Sequence, residues 1–148
     1  MTLPAFTEMG DLPRGIYNAT LDDVLDRFGK SSIQRKIIAS RLQRIYEIAA
    51  TTGHLRRFII FGSFVTTKLK PNDIDVFMIM EDTFDVSQLI GESQLIFDHA
   101  VAQTYFGGSV FWIRRLAAFN GEQAAIEQWQ IKRDGNERGI VEITLELS

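Results

Sequence analysis

Two short apolar runs on either side of a polar loop are the strongest strand signals in the chain. The first, RRFIIF, ends at Gly62, and the second, DIDVFMIM, covers residues 73–80. Short runs of β-branched and aromatic residues between turn residues are typical of buried strands. Two later runs, SVFWIR (109–114) and IVEITLEL (140–147), predict two more strands. In the last run, alternation places Val141, Ile143, Leu145 and Leu147 inward and Glu142, Thr144 and Glu146 outward.

Capping residues and an apolar spacing of three and four positions predict two helices before the first strand. Thr20 precedes LDDVLDRF, with an aspartate three residues later, and Gly29 is the expected stop. A second helix follows the Ser31-Ser32 pair and ends at Gly53. Its predicted buried stripe consists of Ile33, Ile37, Ile38, Leu42, Ile45 and Ala49.

The second half of the chain predicts two further helices. Asp85 precedes VSQLIGESQLIFDHAVAQTYF, a helix of about twenty residues that a glycine pair ends. Asn120 precedes the helix GEQAAIEQWQIK, and RDGNERG is typical of a turn. Residues 1–19 are expected to be an irregular lead-in. Interspersed helices and strands predict an α/β or α+β class, with a mixed β-sheet flanked by helices in a single domain over 1–148.

Composition narrows the functional classes. The 148 residues are 45% hydrophobic and 24% charged, which is typical of a globular domain. The net charge of −3 offers no basic field for nucleic acid, so nucleic acid is not an expected partner. The absence of cysteine excludes a disulfide framework and a thiolate metal site. We expect a cytoplasmic protein with no signal peptide and no membrane segment.

Asp73 and Asp75 raise the question of why two like charges open a core strand. Residues two apart on a strand share a face about 6–7 Å from each other, and two charges there repel by roughly 2–3 kcal/mol at an effective dielectric of about 20. A divalent cation, Mg²⁺ or Mn²⁺, would reverse the sign of this term. The alternative is that Asp73 only begins the strand after the Pro71-Asn72 turn, with Asp75 exposed at an edge.

The loop before this strand carries a second candidate element. Gly62 lets the backbone turn sharply and a phosphate approach closely, and the hydroxyl of Ser63 can hold phosphate oxygens. Lys68 and Lys70 could offset phosphate charge. The alternatives are an ordinary turn glycine and two solvated loop lysines.

Together, FGSFVTTKLKPNDIDVFMIM resembles the signature of the DNA polymerase beta-type nucleotidyltransferase superfamily, in its small, minimal branch. The segments LPRGIYNATLDDVLDRFG and DGNERGIVEITL also resemble a short bacterial family of that superfamily. The resemblance implies a nucleotidyltransferase-like fold and metal-dependent transfer of a nucleoside monophosphate from a nucleoside triphosphate to a hydroxyl of a protein or small acceptor. In it, Gly62 and Ser63 would hold the triphosphate, and Asp73 and Asp75 would bind Mg²⁺.

One departure from that pattern concerns the third carboxylate, which active members usually place on a later strand. Here that position is Ser109, which cannot act as a base near neutral pH without help. Asp98 is the nearest candidate for a catalytic replacement, although it could equally be a solvent-facing helix residue. His99 could accept a proton, and its alternative role is structural. The loop also has FVTTK where the minimal branch commonly carries an arginine and a second glycine.

Two functions of different class therefore remain open. The first is a nucleotidyltransferase, in its concrete form the antitoxin of a toxin–antitoxin pair that modifies its toxin partner. The second is a catalytically degenerate module that regulates a partner by contact. For such an interface Phe64, Trp112 and Trp129 are candidate anchors, and each has a place in the core as its alternative.

Overall fold

A computed structural model describes residues 3–145, which form a mixed sheet flanked by helices, and this confirms the predicted class. The strand order is β1-β5-β2-β3-β4. β1 with β5 and β3 with β4 pair in parallel, whereas β2 is antiparallel to both of its neighbours. The strands are β1 (Gly15–Ala19), β2 (Leu55–Phe61), β3 (Ile74–Met80), β4 (Gly108–Arg114) and β5 (Gly139–Ile143).

The first two helices begin at their predicted caps. The side-chain oxygen of Thr20 accepts a hydrogen bond from the Asp23 backbone N–H at 3.1 Å, and the Asp23 carboxylate accepts one from the Thr20 N–H at 3.4 Å. This reciprocal pair is a capping box. The Ser32 hydroxyl accepts from the Arg35 N–H at 3.1 Å in the same way. The helices are α1 (Leu21–Phe28) and α2 (Ile33–Thr51).

The predicted buried stripe of α2 is wrong at its first two positions. Ile33 is 78% exposed and Ile37 is 44% exposed, whereas Ile38, Leu42, Ile45 and Ala49 are buried as expected. At 100° per residue, Ile33 lies half a turn round the helix from Leu42 and cannot share its face. The burial of the polar Arg35 and of Tyr46 completes the face that packs on the sheet.

The lead-in is irregular only up to residue 14, because Gly15–Ala19 forms β1. This strand pairs in parallel with β5, from Gly15 opposite Gly139 to Ala19 opposite Ile143. Its five residues show no clear alternation, and its partner lies at the other end of the sequence. A pairing of such long range leaves no local signal.

The single helix predicted after Asp85 is wrong, because the segment folds as three short pieces. They are a 3₁₀ turn at Val86–Gln88, α3 (Glu92–Leu95) and α4 (His99–Tyr105). Gly91 breaks the segment with a φ of +62°, and Asp98 breaks it again with extended backbone angles. Asp85 does act as a cap, but only for the 3₁₀ turn.

The following helix is also shorter than predicted. α5 (Glu122–Glu127) follows Gly121, whose φ is +92°, and passes into a 3₁₀ turn at Gln128–Gln130. Asn120 is not its cap, because the N-cap residue is Gly121, which has no side chain to make a capping hydrogen bond. The turn predicted within RDGNERG is present, closed by a bridge between Ile131 and Glu137.

The last strand departs from simple inward and outward alternation. Val141 and Ile143 are buried as predicted, but Glu142 is not solvent-facing: its carboxylate accepts hydrogen bonds from Arg57 at 2.8 and 2.6 Å. Thr144 is exposed and Leu145 packs against the main core. The predictions for Glu146 and Leu147 lie outside the described residues.

The two faces of the sheet differ, and we name them here. The major face packs against α1, α2, α3 and α4, and its central residues are Phe58, Ile60, Val76, Met78 and Val141. The cleft face carries Ile59, Phe61, Phe77, Ile79 and Ile140 and packs against Ile126 of α5. Within residues 3–145, no helix combines the length and apolarity needed to cross a membrane.

Candidate functional site

Three strand ends meet at one edge of the sheet. Phe61, the last residue of β2, lies opposite Asp75 of β3, and Asp75 lies opposite Ser109 of β4. The loop after β2 and the residue before β3 therefore reach the same place. The pairing of these strands, rather than any single loop, sets the geometry of the candidate site.

Two features of the structure require glycine at position 62: its backbone angles and the closeness of Asp75. Its φ of +82° lies in the region that favours glycine, and a Cβ built on it would overlap Oδ2 of Asp75. The glycine therefore lets the aspartate lie against the turn. Ser63 follows at the start of a 3₁₀ turn, and its hydroxyl makes no hydrogen bond to the described residues, so it is available to a ligand.

The two aspartates lie close enough to interact electrostatically. Burial, with the negative charge of Asp73 as the second cause, raises the pKa of Asp75 to about 6. The nearby Ser109 hydroxyl and the charges of Arg138 and Arg133 oppose this rise of the pKa. The one proton of that hydroxyl is donated to Oδ2 of Asp73 at 3.0 Å, so Asp75 is the carboxylate whose charge is less well compensated.

A buried arginine holds the loop between β2 and β3 in place. The guanidinium of Arg35 is 5% exposed and donates hydrogen bonds to four backbone carbonyls. Nη1 reaches Phe28 at 3.1 Å and Phe64 at 2.7 Å, and Nη2 reaches Thr66 at 2.7 Å and Lys68 at 2.5 Å. Burial lowers the pKa of Arg35. The arginine fixes the loop that follows Gly-Ser, a role that its place within a helical pattern did not reveal.

A cleft of about 510 Å³ opens on the cleft face at this edge. Of the charged side chains in its wall, Asp75 is anionic, whereas Lys132, Arg133 and Arg138 are cationic. Lys132 forms an ion pair with the buried Asp11. Arg133 has no ion pair or hydrogen bond within the part of the chain that the structure describes. The cleft therefore presents more positive than negative charge to an anionic ligand.

Aromatic rings also line the cleft. Trp129 stacks on Phe61 with ring centres 4.4 Å apart and lies 5.1 Å from Phe111. Phe111 is 36% exposed, which leaves part of its ring open to the cleft. The indole N–H of Trp129 is buried without a partner among residues 3–145. A planar apolar ligand with a polar edge would suit this wall.

Comparison with known proteins adds one finding to this geometry. The sequence model of a family of unknown function, DUF6932, matches residues 4–144. The chain belongs to DUF6932. Neither the curated proteins nor the solved structures contain a match to it. For this DUF6932 chain the side chains of the cleft therefore carry the functional interpretation.

The structure brings some of the predicted site residues together. Gly62, Ser63 and Asp75 lie in the cleft wall of the DUF6932 chain, and Asp73 is joined to that wall through its hydrogen bond from Ser109. His99 also lies in the wall. Asp75 thus lies beside the Gly-Ser turn, and Asp73 is connected to it through Ser109.

Other predicted residues lie elsewhere. Lys68 and Lys70 are exposed and do not line the cleft. The Asp98 carboxylate accepts a hydrogen bond from the Val101 N–H at 3.1 Å and so caps α4. Asp98 lies in a separate groove with Trp112. As the N-cap residue of α4, Asp98 directs its side chain to the helix backbone. A catalytic role would compete with this cap for the same carboxylate oxygen.

The candidate interface anchors lie in the interior or in the cleft. Phe64 is 0% exposed, so it takes the core position that was its alternative and does not anchor a partner. Trp112 packs against the main core, and its indole N–H donates to the Phe97 carbonyl at 2.8 Å. Trp129 packs against the core of the cleft face and lines the cleft. None of the three offers a freely exposed ring.

Sequence reasoning missed the cations of the DUF6932 cleft. Arg133 and Arg138 lie in the run RDGNERG, which was interpreted as a turn, and Lys132 was placed at the end of the predicted helix before it. The excess of basic residues around this turn was the available signal. Nothing local could connect it with aspartates on β3, since that proximity comes from the strand order.

Proposed function

We propose that the cleft binds a metal-chelated nucleoside triphosphate and transfers its nucleoside monophosphate to a hydroxyl of a partner protein or a small acceptor. The observation that carries the proposal is the convergence of Gly62-Ser63, the Asp73–Asp75 pair and three cations on one cleft. The toxin of a toxin–antitoxin pair is the concrete acceptor that we favour. We place the reaction in the cytoplasm, where Mg²⁺ and nucleoside triphosphates are both available.

The donor set fits Mg²⁺. Burial and the charge of Asp73 raise the pKa of Asp75 to about 6, because the charges of Arg138 and Arg133 compensate the carboxylates only in part. Residues 3–145 contain no cluster of three or more carboxylate, histidine or cysteine side chains suited to a metal. Mg²⁺ commonly takes one or two carboxylates and completes its shell with water and phosphate oxygens. Bound there, it would neutralise charge that develops on the reacting phosphate.

The chain's own residues would position the nucleotide. Ser63 offers an unpaired hydroxyl beside the turn, and the unpaired guanidinium of Arg133 offers charge-assisted hydrogen bonds to phosphate oxygens. The exposed part of Phe111, supported by Trp129, offers a stacking surface for the base. Such stacking contributes about 1–3 kcal/mol per base. The cleft wall thus carries both polar groups for the phosphates and aromatic rings for the base.

The proposal is tested by binding and transfer with one pair of variants. Calorimetry should show MgATP binding by the intact protein, with much weaker binding in EDTA or after Asp73→Ala/Asp75→Ala. Label from α-³²P-ATP should move to an acceptor in a lysate of the source cells. The matched control is Asp22→Ala/Asp26→Ala, which removes two exposed carboxylates from α1 and should bind normally. Lack of metal-dependent nucleotide binding by the intact protein would contradict the proposal.

A second candidate is a regulatory module that keeps the nucleotide site without turnover. The observation in its favour is Ser109, which lies opposite Asp75 where the resemblance leads us to expect an acid. Its hydroxyl is already engaged, since it donates to Asp73 and accepts from Gln103 at 3.3 Å. Metal-dependent nucleotide binding without label transfer would support this candidate.

A further inference from the structure

The imidazole of His99 in the cleft is oriented by a hydrogen bond that leaves one ring nitrogen free to accept a proton. Nδ1 of His99 lies 3.1 Å from the backbone carbonyl oxygen of Val110. A carbonyl oxygen only accepts, so Nδ1 carries the ring proton in the neutral imidazole. Nε2 then has a free lone pair, and it makes no hydrogen bond within residues 3–145. The histidine is therefore held in the tautomer that can take up a proton from a ligand.

The ring is also fixed relative to the two aspartates. His99 packs against Phe111 with ring centres 4.6 Å apart. Its hydrogen-bond acceptor, Val110, is the next residue after Ser109, which pairs with Asp75 across the sheet. The imidazole and the carboxylates are thus held by adjacent strands. Orientation by a backbone carbonyl and a packed ring is what a positioned proton acceptor requires.

The other side chains near His99 are less suited to act as the base. The charged groups that share the cleft wall with it are Asp75 on β3 and Lys132, Arg133 and Arg138 beside the turn before β5. Asp98 precedes the histidine, but its carboxylate is committed to the α4 backbone. The hydroxyl of Ser109 is too weak a base to take the proton of an acceptor hydroxyl. Among the described residues that line the cleft, His99 is the one imidazole.

We infer that His99 is the general base of the proposed transfer, in place of a third carboxylate. This inference rests on the proposed function. Nε2 takes the proton of the acceptor hydroxyl as its oxygen forms a bond to the α-phosphorus. The bond from that phosphorus to the bridging oxygen breaks, the electron pair leaves with pyrophosphate, and the proton on Nε2 passes to solvent.

Two substitutions test the inference, with ATP as the probe and both water and a lysate of the source cells as acceptors. His99→Asn keeps an N–H for the Val110 carbonyl but has no base at the position of Nε2, and His99→Ala removes both. Each should lower pyrophosphate release about 100-fold or more, while the MgATP dissociation constant changes less than about threefold. Added imidazole should restore part of the rate to His99→Ala, which a merely structural role would not allow.

The outcomes separate this inference from the proposed function. Transfer by the intact protein that survives His99→Asn overturns the inference and leaves the proposed function standing. A loss of rate that imidazole does not restore, accompanied by weaker MgATP binding, also overturns it and assigns His99 to nucleotide binding. If the intact protein binds MgATP but releases no pyrophosphate with either acceptor, both the transfer and its base are overturned while the nucleotide site remains. Failure of MgATP to bind at all overturns the proposed function itself.

Discussion

The two faces of the sheet differ in how completely they are covered: the major face is buried, whereas the cleft face is partly open. On the major face, Phe58, Ile60 and Met78 are each 0% exposed and lie beneath the 19-residue α2 and three shorter helices. On the cleft face, the cover is the six-residue α5 and a 3₁₀ turn, and charged side chains reach the sheet itself. Arg57 and Glu142 form a forked ion pair there, and Asp75 lies at the open edge.

This difference shows how the fold tolerates an unfavourable charge. Burying apolar surface contributes about 25 cal/mol per Å², and the major face supplies most of that burial. The short α5 leaves one end of the other face uncovered, and the cleft lies at that end. The raised pKa of Asp75 means that its ionised carboxylate opposes folding, and packing on the opposite side of the sheet offsets that cost.

The largest expected effect contrasts one phenylalanine from each face. Phe58→Ala should lower the free energy of unfolding by about 3–5 kcal/mol, because it empties a fully buried site. Phe111→Ala should cost only about 1–2 kcal/mol, since its ring is partly exposed and mainly loses aromatic contacts. Urea denaturation measures both values. Equal losses would mean that the two faces share the stabilisation, contrary to this comparison.

A second test concerns the turn at the edge of the cleft. Gly62→Ala should cost about 2–4 kcal/mol, because the new Cβ adds a clash with Asp75 to the strain of a positive φ. Gly135→Ala is the matched control, since its φ is +87° and no atom lies within 4 Å of its Cβ position. The control should cost about 1–2 kcal/mol. Similar losses for the two variants, measured by thermal unfolding, would show that the close approach of Asp75 contributes nothing.

The smallest expected effect is a gain in stability that depends on pH. The folded-state pKa of Asp75 is raised to about 6, so ionisation opposes folding increasingly as the pH rises from about 4 to about 6. Asp75→Asn should therefore stabilise the protein in EDTA by about 1–3 kcal/mol at pH 8 and hardly at all at pH 4. The exposed Glu8→Gln serves as control and should be neutral at both pH values. A stabilisation that is the same at pH 4 and pH 8 would exclude charge as its cause.

Sequence reasoning succeeded where the determining contacts are local. The Thr20 capping box, the Ser32 cap and the Gly62 turn depend on residues within a few positions of each other, and all three are found in the structure. β2 and β3 are apolar on both faces, so they are recognised as buried strands without knowing which strands they pair with. The placement of Asp75 beside Gly62 followed from joining two such strands by a short loop.

It failed where packing across the fold decides. The helix after Asp85 looked continuous, but the buried pair Ile96-Phe97 has to face the major core, and the chain breaks on either side of it. No local pattern marks Arg35 as buried, because the carbonyls of Phe64 and Thr66 that it binds lie 29 and 31 residues further along the chain. The basic residues around KRDGNER reach the cleft only because β5 lies between β1 and β2.

The position of β5 also governs when this protein can become functional during its synthesis. β5 is made after the four other strands, yet it lies inside the sheet, so β1 has no partner on a ribosome-bound chain that has not yet reached residue 139. Pairings of such long range form late, because loop closure must precede any gain from contact. The aspartates emerge long before the cations that complete the cleft. A nascent chain therefore cannot display the finished cleft until β5 inserts.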